Sequence, residues 1–309
     1  MKLHFLAECL SQPWAMEQSR MTAYANFLAA RYFGSAKAGD HRDEQGYDAA
    51  GNPLAPQAAA PRNQSARQGG IAVIGVYGTI MQRSSQINIC EGGTSTQAIG
   101  AALRECMADE TVAQVLMDFD TPGGSVFGVD ELAAEIRSAK GQKPIIGIAN
   151  SLCASAGYWL MSQCTECYVT PGGQVGSVGV WMAHEDWSKA LEAAGVKTTL
   201  VSAGKYKVEG NPYGPLEGDA LAFQQSSVDA YYGAFTKAIS KGRGVPIDAV
   251  RVGMGQGRVL GADAALAEKM VDGVMPLAGV IRKMQSAMQP TPRGRSALSA
   301  ARNELAILS

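Results

Sequence analysis

The sequence predicts an α/β fold with a parallel sheet, and two observations carry that prediction. Short apolar runs of strand length alternate with amphipathic helical segments through the middle of the chain. The first run, Ile71–Tyr77, has the continuous apolar character of a buried strand. Because parallel strands must be joined by long crossovers, usually helices, this alternation favours repeated βαβ units.

The remaining elements follow in chain order. The helix predicted over 129–140 places Leu132, Ala133 and Ile136 on one inner face. A long helix from about Asp219 is expected to stop before the glycines that follow residue 241. The other predicted strands cover 112–119, 144–149 and 197–202, and the other predicted helices begin near 155 and span 187–194.

The chain divides into four predicted parts. Residues 1–33 are expected to form a helical N-terminal arm, since apolar residues recur there on one face. Residues 34–69 are small and polar, which predicts a flexible linker that cannot bury enough apolar surface to offset its chain entropy. A compact domain is predicted over 70–285, followed by a flexible tail over 286–309.

Composition excludes several classes of function. The net charge is −1, with 18% charged residues and no long basic run, so neither nucleic acid nor an anionic membrane is an expected partner. No apolar stretch approaches the roughly 18 residues of a membrane span. The first residues lack the apolar core and cleavage site of a secretory signal, so the protein is expected to stay where it is made.

Cysteine usage favours a reducing compartment. Six cysteines are scattered over 309 residues, unlike a disulfide framework. Cys164 and Cys167 form the one CxxC pattern, but a zinc site would need a second pair or nearby histidines. Buried, ordinary thiols are therefore expected, with neither a metal nor a cofactor.

Acyl-transfer chemistry is predicted by a serine and a glycine-rich turn. Ser155 stands where a buried strand gives way to a helix of small residues, and Gly123 and Gly124 lie in a Thr-Pro-Gly-Gly turn after the preceding strand. Backbone N–H groups of either glycine and of Ala156 can stabilise an oxyanion formed by attack of Ser155. The alternative is that Ser155 only caps its helix.

A lysine is the predicted base. Lys207 lies at the exit of the strand predicted over 197–202, where burial would lower the pKa of a lysine enough for it to accept a proton. Lys205 competes, because residues i and i+2 share a face of a strand. Either lysine is also compatible with an ordinary surface charge. Ser177, in a Gly-Ser-Val-Gly turn, is either a hydroxyl that orients the lysine amine or a simple turn residue.

Taken together, these motifs resemble peptidase family S49, the signal peptide peptidase A relatives, over about 71–274. The segments that carry the resemblance are Asp120-Thr-Pro-Gly-Gly-Ser-Val126, Ala154-Ser-Ala-Gly-Tyr-Trp159, Gly176-Ser-Val-Gly179, Gly204-Lys-Tyr-Lys-Val-Glu-Gly210 and Gly257-Arg-Val-Leu-Gly-Ala-Asp-Ala264. The resemblance implies a Clp protease/crotonase-like fold of repeated ββα units. It also implies a serine peptidase in which Ser155 is the nucleophile, Lys207 the general base and Ser177 the orienting hydroxyl. Ala156 stands where many relatives carry glycine, but it keeps the N–H.

Three further segments are similar to the phage branch of the family, whose members are head maturation proteases. They are Pro13-Trp14-Ala-Met16, Val180-Trp-Met-Ala-His-Glu185 and Gly210-Asn-Pro-Tyr213. This resemblance implies scaffold, capsid or portal proteins as substrates, possible self-cleavage and assembly into a homo-oligomer. The expected location is the prohead, in the cytoplasm of the bacterial host.

Other functions stay open at this stage. A Ser-His-Asp triad would use His184 as base, oriented by Asp186 or Asp219. A crotonase-like acyl-CoA enzyme or an inert capsid component would leave the serine–lysine pair unexplained. The small residues around Ser155 predict cleavage after alanine-like residues, with self-processing candidates at Ala58-Ala-Ala-Pro61 and Ser299-Ala-Ala-Arg302.

Overall fold

Eight strands form a main sheet and four short strands form a second sheet beside it. The computed structural model describes residues 13–16, 66–68, 70–83 and 93–288. The strands are β1 (Trp14–Met16), β2 (Ala66–Gln68), β3 (Ile71–Tyr77), β4 (Ile80–Met81), β5 (Thr94–Ser95), β6 (Gln114–Thr121), β7 (Gly123–Ser125), β8 (Ile145–Ala154), β9 (Glu166–Val169), β10 (Gln174–Gly176), β11 (Val259–Gly261) and β12 (Gly273–Val274). The helices are α1 (Thr96–Ala108), α2 (Val129–Ala139), α3 (Ala156–Met161), α4 (Ser188–Ala193), α5 (Gly218–Arg243), α6 (Ile247–Val252), α7 (Ala262–Ala267) and α8 (Leu277–Met288).

The main sheet has the strand order β11-β10-β8-β6-β3-β2, with β9 paired to β8 and β12 paired to β9. Its central pairs, β3 with β6 and β6 with β8, are parallel. The antiparallel pairs are those of β2 with β3 and of β10 with β11. The predicted α/β fold with a mostly parallel sheet is confirmed.

The chain repeats a ββα unit, as the family resemblance implies. A long strand of the main sheet is followed by a short strand of the second sheet and then a helix: β3, β4 and α1, then β6, β7 and α2. In the second sheet the strand order is β1-β7-β4-β5. This arrangement brings β7, which contains the glycine pair, to the carboxyl end of β6, next to the end of β8.

Apolar side chains cover both faces of the main sheet. On one face, β-strand residues pack against α1, α2, α3 and α5, and the rings of Trp159 and Phe235 stack there with centroids 4.6 Å apart. On the other face, Val280 and Met284 of α8 pack on the sheet. Since α8 continues to Met288, the start predicted for the flexible tail, residue 286, is too early; residues 289–309 lie outside the described residues.

Three other sequence predictions are wrong in part. Trp14–Met16 is a strand rather than the start of a helix, because its backbone pairs with a strand more than 100 residues away. Ala66–Gln68 is also a strand, so the folded region begins inside the predicted linker. The strand predicted over 197–202 is irregular and exposed. The rest of the predicted arm and linker lies outside the described residues.

The predicted helices over 129–140, 187–194 and 219–241 are confirmed within a few residues, and Gly244 caps α5 in the left-handed conformation. Cys153, Cys164 and Cys167 are buried and free, as expected of ordinary thiols. Burial raises the pKa of the Cys167 thiol to about 11. Within the described ranges, no helix combines the length and the apolar character needed to cross a bilayer.

Candidate active site

Ser155 occupies a sharp turn between β8 and α3. The register between β6 and β8 shifts after Ala149, Cys153 pairs with Thr121, and Leu152–Ala154 also pair with β10 on the other edge of β8. At Ser155 the backbone has φ 53° and ψ −115°, a conformation that side-chain-bearing residues rarely adopt. Strain of this kind persists where the surrounding structure enforces it, often at functional sites.

The backbone of Ser155 is held on both sides. Its N–H donates to the carbonyl of Gly176 at 2.7 Å, and its carbonyl accepts from the N–H of Trp159 at 2.9 Å. The side chain makes no capping bond to α3; its hydroxyl lies 3.5 Å from the carbonyl oxygen of Gly179. The side-chain hydrogen bond that a helix-capping serine would make is therefore not formed.

The glycine turn lies directly against Ser155. Gly123 has φ 99°, and a Cβ added there would lie 2.9 Å from Ser155 Cβ and 3.1 Å from the Ala154 carbonyl oxygen. A Cβ added at Gly124 would lie 1.8 Å from the carbonyl oxygen of Ile80. Only glycine fits at either position, because other parts of the protein approach both backbones closely.

Thr121 fixes this turn, a role that sequence reasoning missed. Its hydroxyl donates to the Gly78 carbonyl at 2.6 Å and accepts from the Gly123 N–H at 3.1 Å. The N–H of Gly123 thus already has a partner within the turn. Thr121 is fully buried, and its methyl group would contact a Cβ placed on Gly157 at 2.4 Å. The sequence signal for this role was a polar residue, Thr121, at the end of an otherwise apolar strand.

Ala156 begins α3 and is buried beside the turn. The first N–H groups of a helix have no partner within that helix, so the Ala156 N–H is free of intrahelical bonding. The structure therefore brings together the nucleophile candidate Ser155 and the three backbone positions predicted as oxyanion donors, Gly123, Gly124 and Ala156.

The Gly176–Gly179 segment runs along the other side of Ser155. Ser177 is buried with φ 54°, and its N–H donates to the Arg258 carbonyl at 2.8 Å. Gly176 before it and Gly179 after it both offer carbonyls to Ser155. Ser177 is thus a turn residue within the immediate surroundings of Ser155, which is compatible with both interpretations of its hydroxyl.

The single chain does not place a lysine at Ser155. Lys207 lies in an exposed turn, where its backbone N–H bonds to the Gly204 carbonyl at 3.2 Å, and Lys205 extends over the Tyr206 ring. Over the part of the chain that the structure describes, no hydrogen bond joins either lysine to Ser155. The burial expected for Lys207 is wrong within the described residues, where both Lys207 and the segment 197–202 before it are exposed.

His184 is directed elsewhere. Its Nε2 atom lies 3.0 Å from the Gly214 carbonyl oxygen, and Asp186 accepts from the Ser188 N–H instead. Asp219 is exposed at the start of α5. Among the described residues, no hydrogen bond links His184 to Ser155, Asp186 or Asp219, so the triad is not assembled.

Comparison with known proteins places this site in a family context. Residues 137–290, which include Ser155, Ser177 and Lys207, match the model of peptidase family S49. The chain is 36% identical over 208 residues to the capsid assembly protease C of Escherichia phage lambda, covering 66% of this chain and 47% of that protein. It is 32% identical over 228 residues to the head-tail preconnector protein GP5 of Enterobacteria phage P21, covering 73% of this chain and 44% of that protein. A match to Protease 4 of Haemophilus influenzae has 29% identity over 196 residues, 63% of this chain and 31% of that protein. The chain spans less than half the length of both phage relatives.

Proposed function

The chain belongs to peptidase family S49 through residues 137–290, and on that premise we propose that it is a serine endopeptidase with Ser155 as its nucleophile. The observation that carries this proposal is the strained turn at Ser155, whose side chain faces a glycine that tolerates no Cβ. A nucleophile on a sharp strand-to-helix turn beside backbone N–H donors is the arrangement that acyl transfer requires.

In the proposed reaction, Ser155 Oγ attacks the scissile carbonyl and its proton passes to the amine of Lys207. The N–H group of Ala156 stabilises the oxyanion of the tetrahedral intermediate together with that of Gly124, or with that of Gly123 after it leaves the Thr121 hydroxyl. Collapse breaks the C–N bond, and the lysine ammonium gives its proton to the leaving amine. Water, deprotonated by the same lysine, then attacks the acyl-enzyme and releases the second product and Ser155. Ser177 is the proposed positioning residue for the lysine.

The exposed position of Lys207 makes assembly part of the proposal. A lysine accepts a proton near neutral pH only after burial has lowered its pKa. Several large apolar side chains in the region around Lys207 are exposed, and such patches mark contact surfaces. These side chains are Val196, Leu200, Val201, Tyr206, Leu221 and Phe223. We propose that a homo-oligomer covers this surface and brings Lys207 into a dry site with Ser155.

The names of the phage relatives suggest the substrates. By analogy with a capsid assembly protease, we propose scaffold, capsid or portal proteins inside the prohead, in the cytoplasm of the bacterial host. Ala154, Ala156 and Gly157 surround Ser155 and leave little room, which favours cleavage after small residues. The self-processing candidates at 58–61 and 299–302 lie outside the described residues and stay predictions.

Co-expression with a scaffold protein tests the proposal. Intact-mass measurement is expected to show scaffold fragments with the wild-type chain and none with Ser155→Ala. Ser162→Ala is the matched control, since it removes another buried serine hydroxyl, bonded to the Trp159 carbonyl, without touching the turn. Fragments that persist with Ser155→Ala would contradict the assignment.

A further inference from the structure

β1 lies in the position that a bound peptide would take beside Ser155. It pairs antiparallel with β7, placing Trp14 opposite Ser125, Ala15 opposite Gly124 and Met16 opposite Gly123. Its other edge pairs with Trp181: the Trp14 N–H donates to the Trp181 carbonyl at 2.9 Å, and the Trp181 N–H donates to the Trp14 carbonyl at 3.1 Å. This short strand is therefore held along both edges.

The Ala15 carbonyl and Ser155 flank the same glycine. From the position of a Cβ added to Gly123, the Ala15 carbonyl oxygen lies 2.2 Å away and Ser155 Cβ lies 2.9 Å away. The two atoms are thus no farther apart than the sum of those distances. With β1 in place, Ser155 is 1% exposed, which leaves no access for an external peptide.

The strand order shows that β1 and a substrate peptide cannot pair with β7 at the same time. β7 lies between β1 and β4, so β4 already uses one of its two edges. Extended peptides commonly bind by adding a strand to a free sheet edge. A substrate that pairs with β7 next to Ser155 must take the edge that β1 now occupies.

The side chains of β1 show which peptides would fit. Trp14 and Met16 lie on one face, buried to 2% exposure against Met81 and Trp181, and the indole Nε1 of Trp181 donates to the Met16 carbonyl at 3.0 Å. Ala15 faces the other way and belongs to the main core. The site therefore accepts a small residue flanked by two bulky apolar residues.

We propose that Pro13–Met16 is an intramolecular substrate mimic that closes the peptide cleft between β7 and Trp181. Release of this strand opens the cleft to extended peptides with the bulky–small–bulky pattern. The inference rests on the proposed peptidase function for its biological meaning, but occupation of the cleft can be measured without catalysis.

Binding is the first test. A fluorescent hexapeptide with the sequence Gln-Pro-Trp-Ala-Met-Glu is titrated into Ser155→Ala protein with and without Trp14→Ala. Because apparent affinity scales with the fraction of open cleft, binding is expected to be at least about tenfold tighter when Trp14 is truncated. A scrambled peptide should bind neither form. Equal affinity in the two proteins would overturn the proposal even if no variant ever cleaves a substrate.

The second test uses a reversible disulfide in the full chain to hold β1 against β7. In Trp14→Cys/Ser125→Cys, the two opposed thiols are oxidised to a disulfide by diamide, which is itself reduced, and dithiothreitol reverses the bond. The oxidised form is expected to lose at least about 90% of its peptidase activity, and reduction should restore it. Full activity of the oxidised form would contradict the inference. If neither the oxidised nor the reduced form is active, but Trp14→Ala still binds the peptide more tightly, only the proposed peptidase function is rejected.

Trp14→Ala removes a buried side chain and will also lower the stability of the protein, so a control variant with a similar loss of stability is needed. Met284→Ala empties a buried site on the opposite face of the main sheet. It is expected to lower the melting temperature without changing peptide affinity. If Met284→Ala tightened binding as much as Trp14→Ala does, general loosening would explain the effect and the proposal would fail.

Discussion

Replacing Gly123 with alanine perturbs the site at its narrowest point. The backbone there has φ 99°, and the new methyl carbon would meet the Ala15 carbonyl oxygen at 2.2 Å and Ser155 Cβ at 2.9 Å. The positive φ alone costs about 1–2 kcal/mol for an alanine. Both contacts are shorter than real Cβ contacts, so β1 must shift away from the new methyl group, and the turn or the serine must move as well.

The functional loss should exceed the loss of stability. A shift of about 1 Å in a reacting group costs on the order of 10²-fold in rate. We therefore expect Gly123→Ala to lower kcat/KM for a peptide substrate at least about 10²-fold, with about 1–3 kcal/mol less stability. Steady-state kinetics and denaturant unfolding measure the two effects.

Gly172→Ala is the matched control, because an added Cβ meets nothing within 4 Å there. It should keep wild-type kinetics. If Gly123→Ala retained kcat/KM within twofold of the wild type while folded, the close contact between the glycine turn and Ser155 would have no part in catalysis.

Three further predictions follow from particular contacts. Lys207→Met should abolish peptide hydrolysis without lowering the melting temperature, since the side chain is exposed, whereas Lys205→Met should retain activity; the reverse result would make Lys205 the base. Thr121→Val removes the hydroxyl that links the Gly78 carbonyl to the Gly123 N–H. It should lower the free energy of unfolding by about 1–3 kcal/mol in chemical denaturation and reduce kcat. Unchanged stability would contradict the role assigned to that hydroxyl. The pKa of Asp272 lies below its usual value of 3.8. Burial alone would raise this pKa, but hydrogen bonds from Arg243 and from the Cys167 backbone N–H lower it by more. The resulting stability is present above that value and is lost as pH falls through the lower folded pKa, so Asp272→Asn should be about 1 kcal/mol less stable at pH 7 and match the wild type in strong acid. A difference that persists in acid would show that the pair is not the cause.

The contact between Ser155 and the glycine turn was predictable from the sequence. Both follow strands of one parallel sheet, and the carboxyl ends of parallel strands lie at the same edge. The helices over 129–139 and 218–243 were predictable for a similar reason, since their apolar periodicity and the terminal Gly244 are local signals.

Other features could not be predicted from local sequence signals. Trp14–Met16 looks helical because Met16 begins an apolar periodicity, yet its backbone pairs with Gly123–Ser125. The segment 197–202 has the apolar content of a strand, but Val201 is 95% exposed. An apolar pattern alone does not show whether a segment is buried, and the burial predicted for Lys207 was wrong because the segment before it is exposed.

The role of Ser155 as a nucleophile is tested most directly by trapping the acyl-enzyme. The wild-type protein, as its native assembly, is mixed with an activated peptide ester, quenched in acid and measured by intact mass and peptide mapping. One acyl group per chain, attached to Ser155 and missing from Ser155→Ala, is the predicted result. Hydrolysis of the ester at the wild-type rate by Ser155→Ala, with no acyl group on Ser155 in the wild type, would contradict the account.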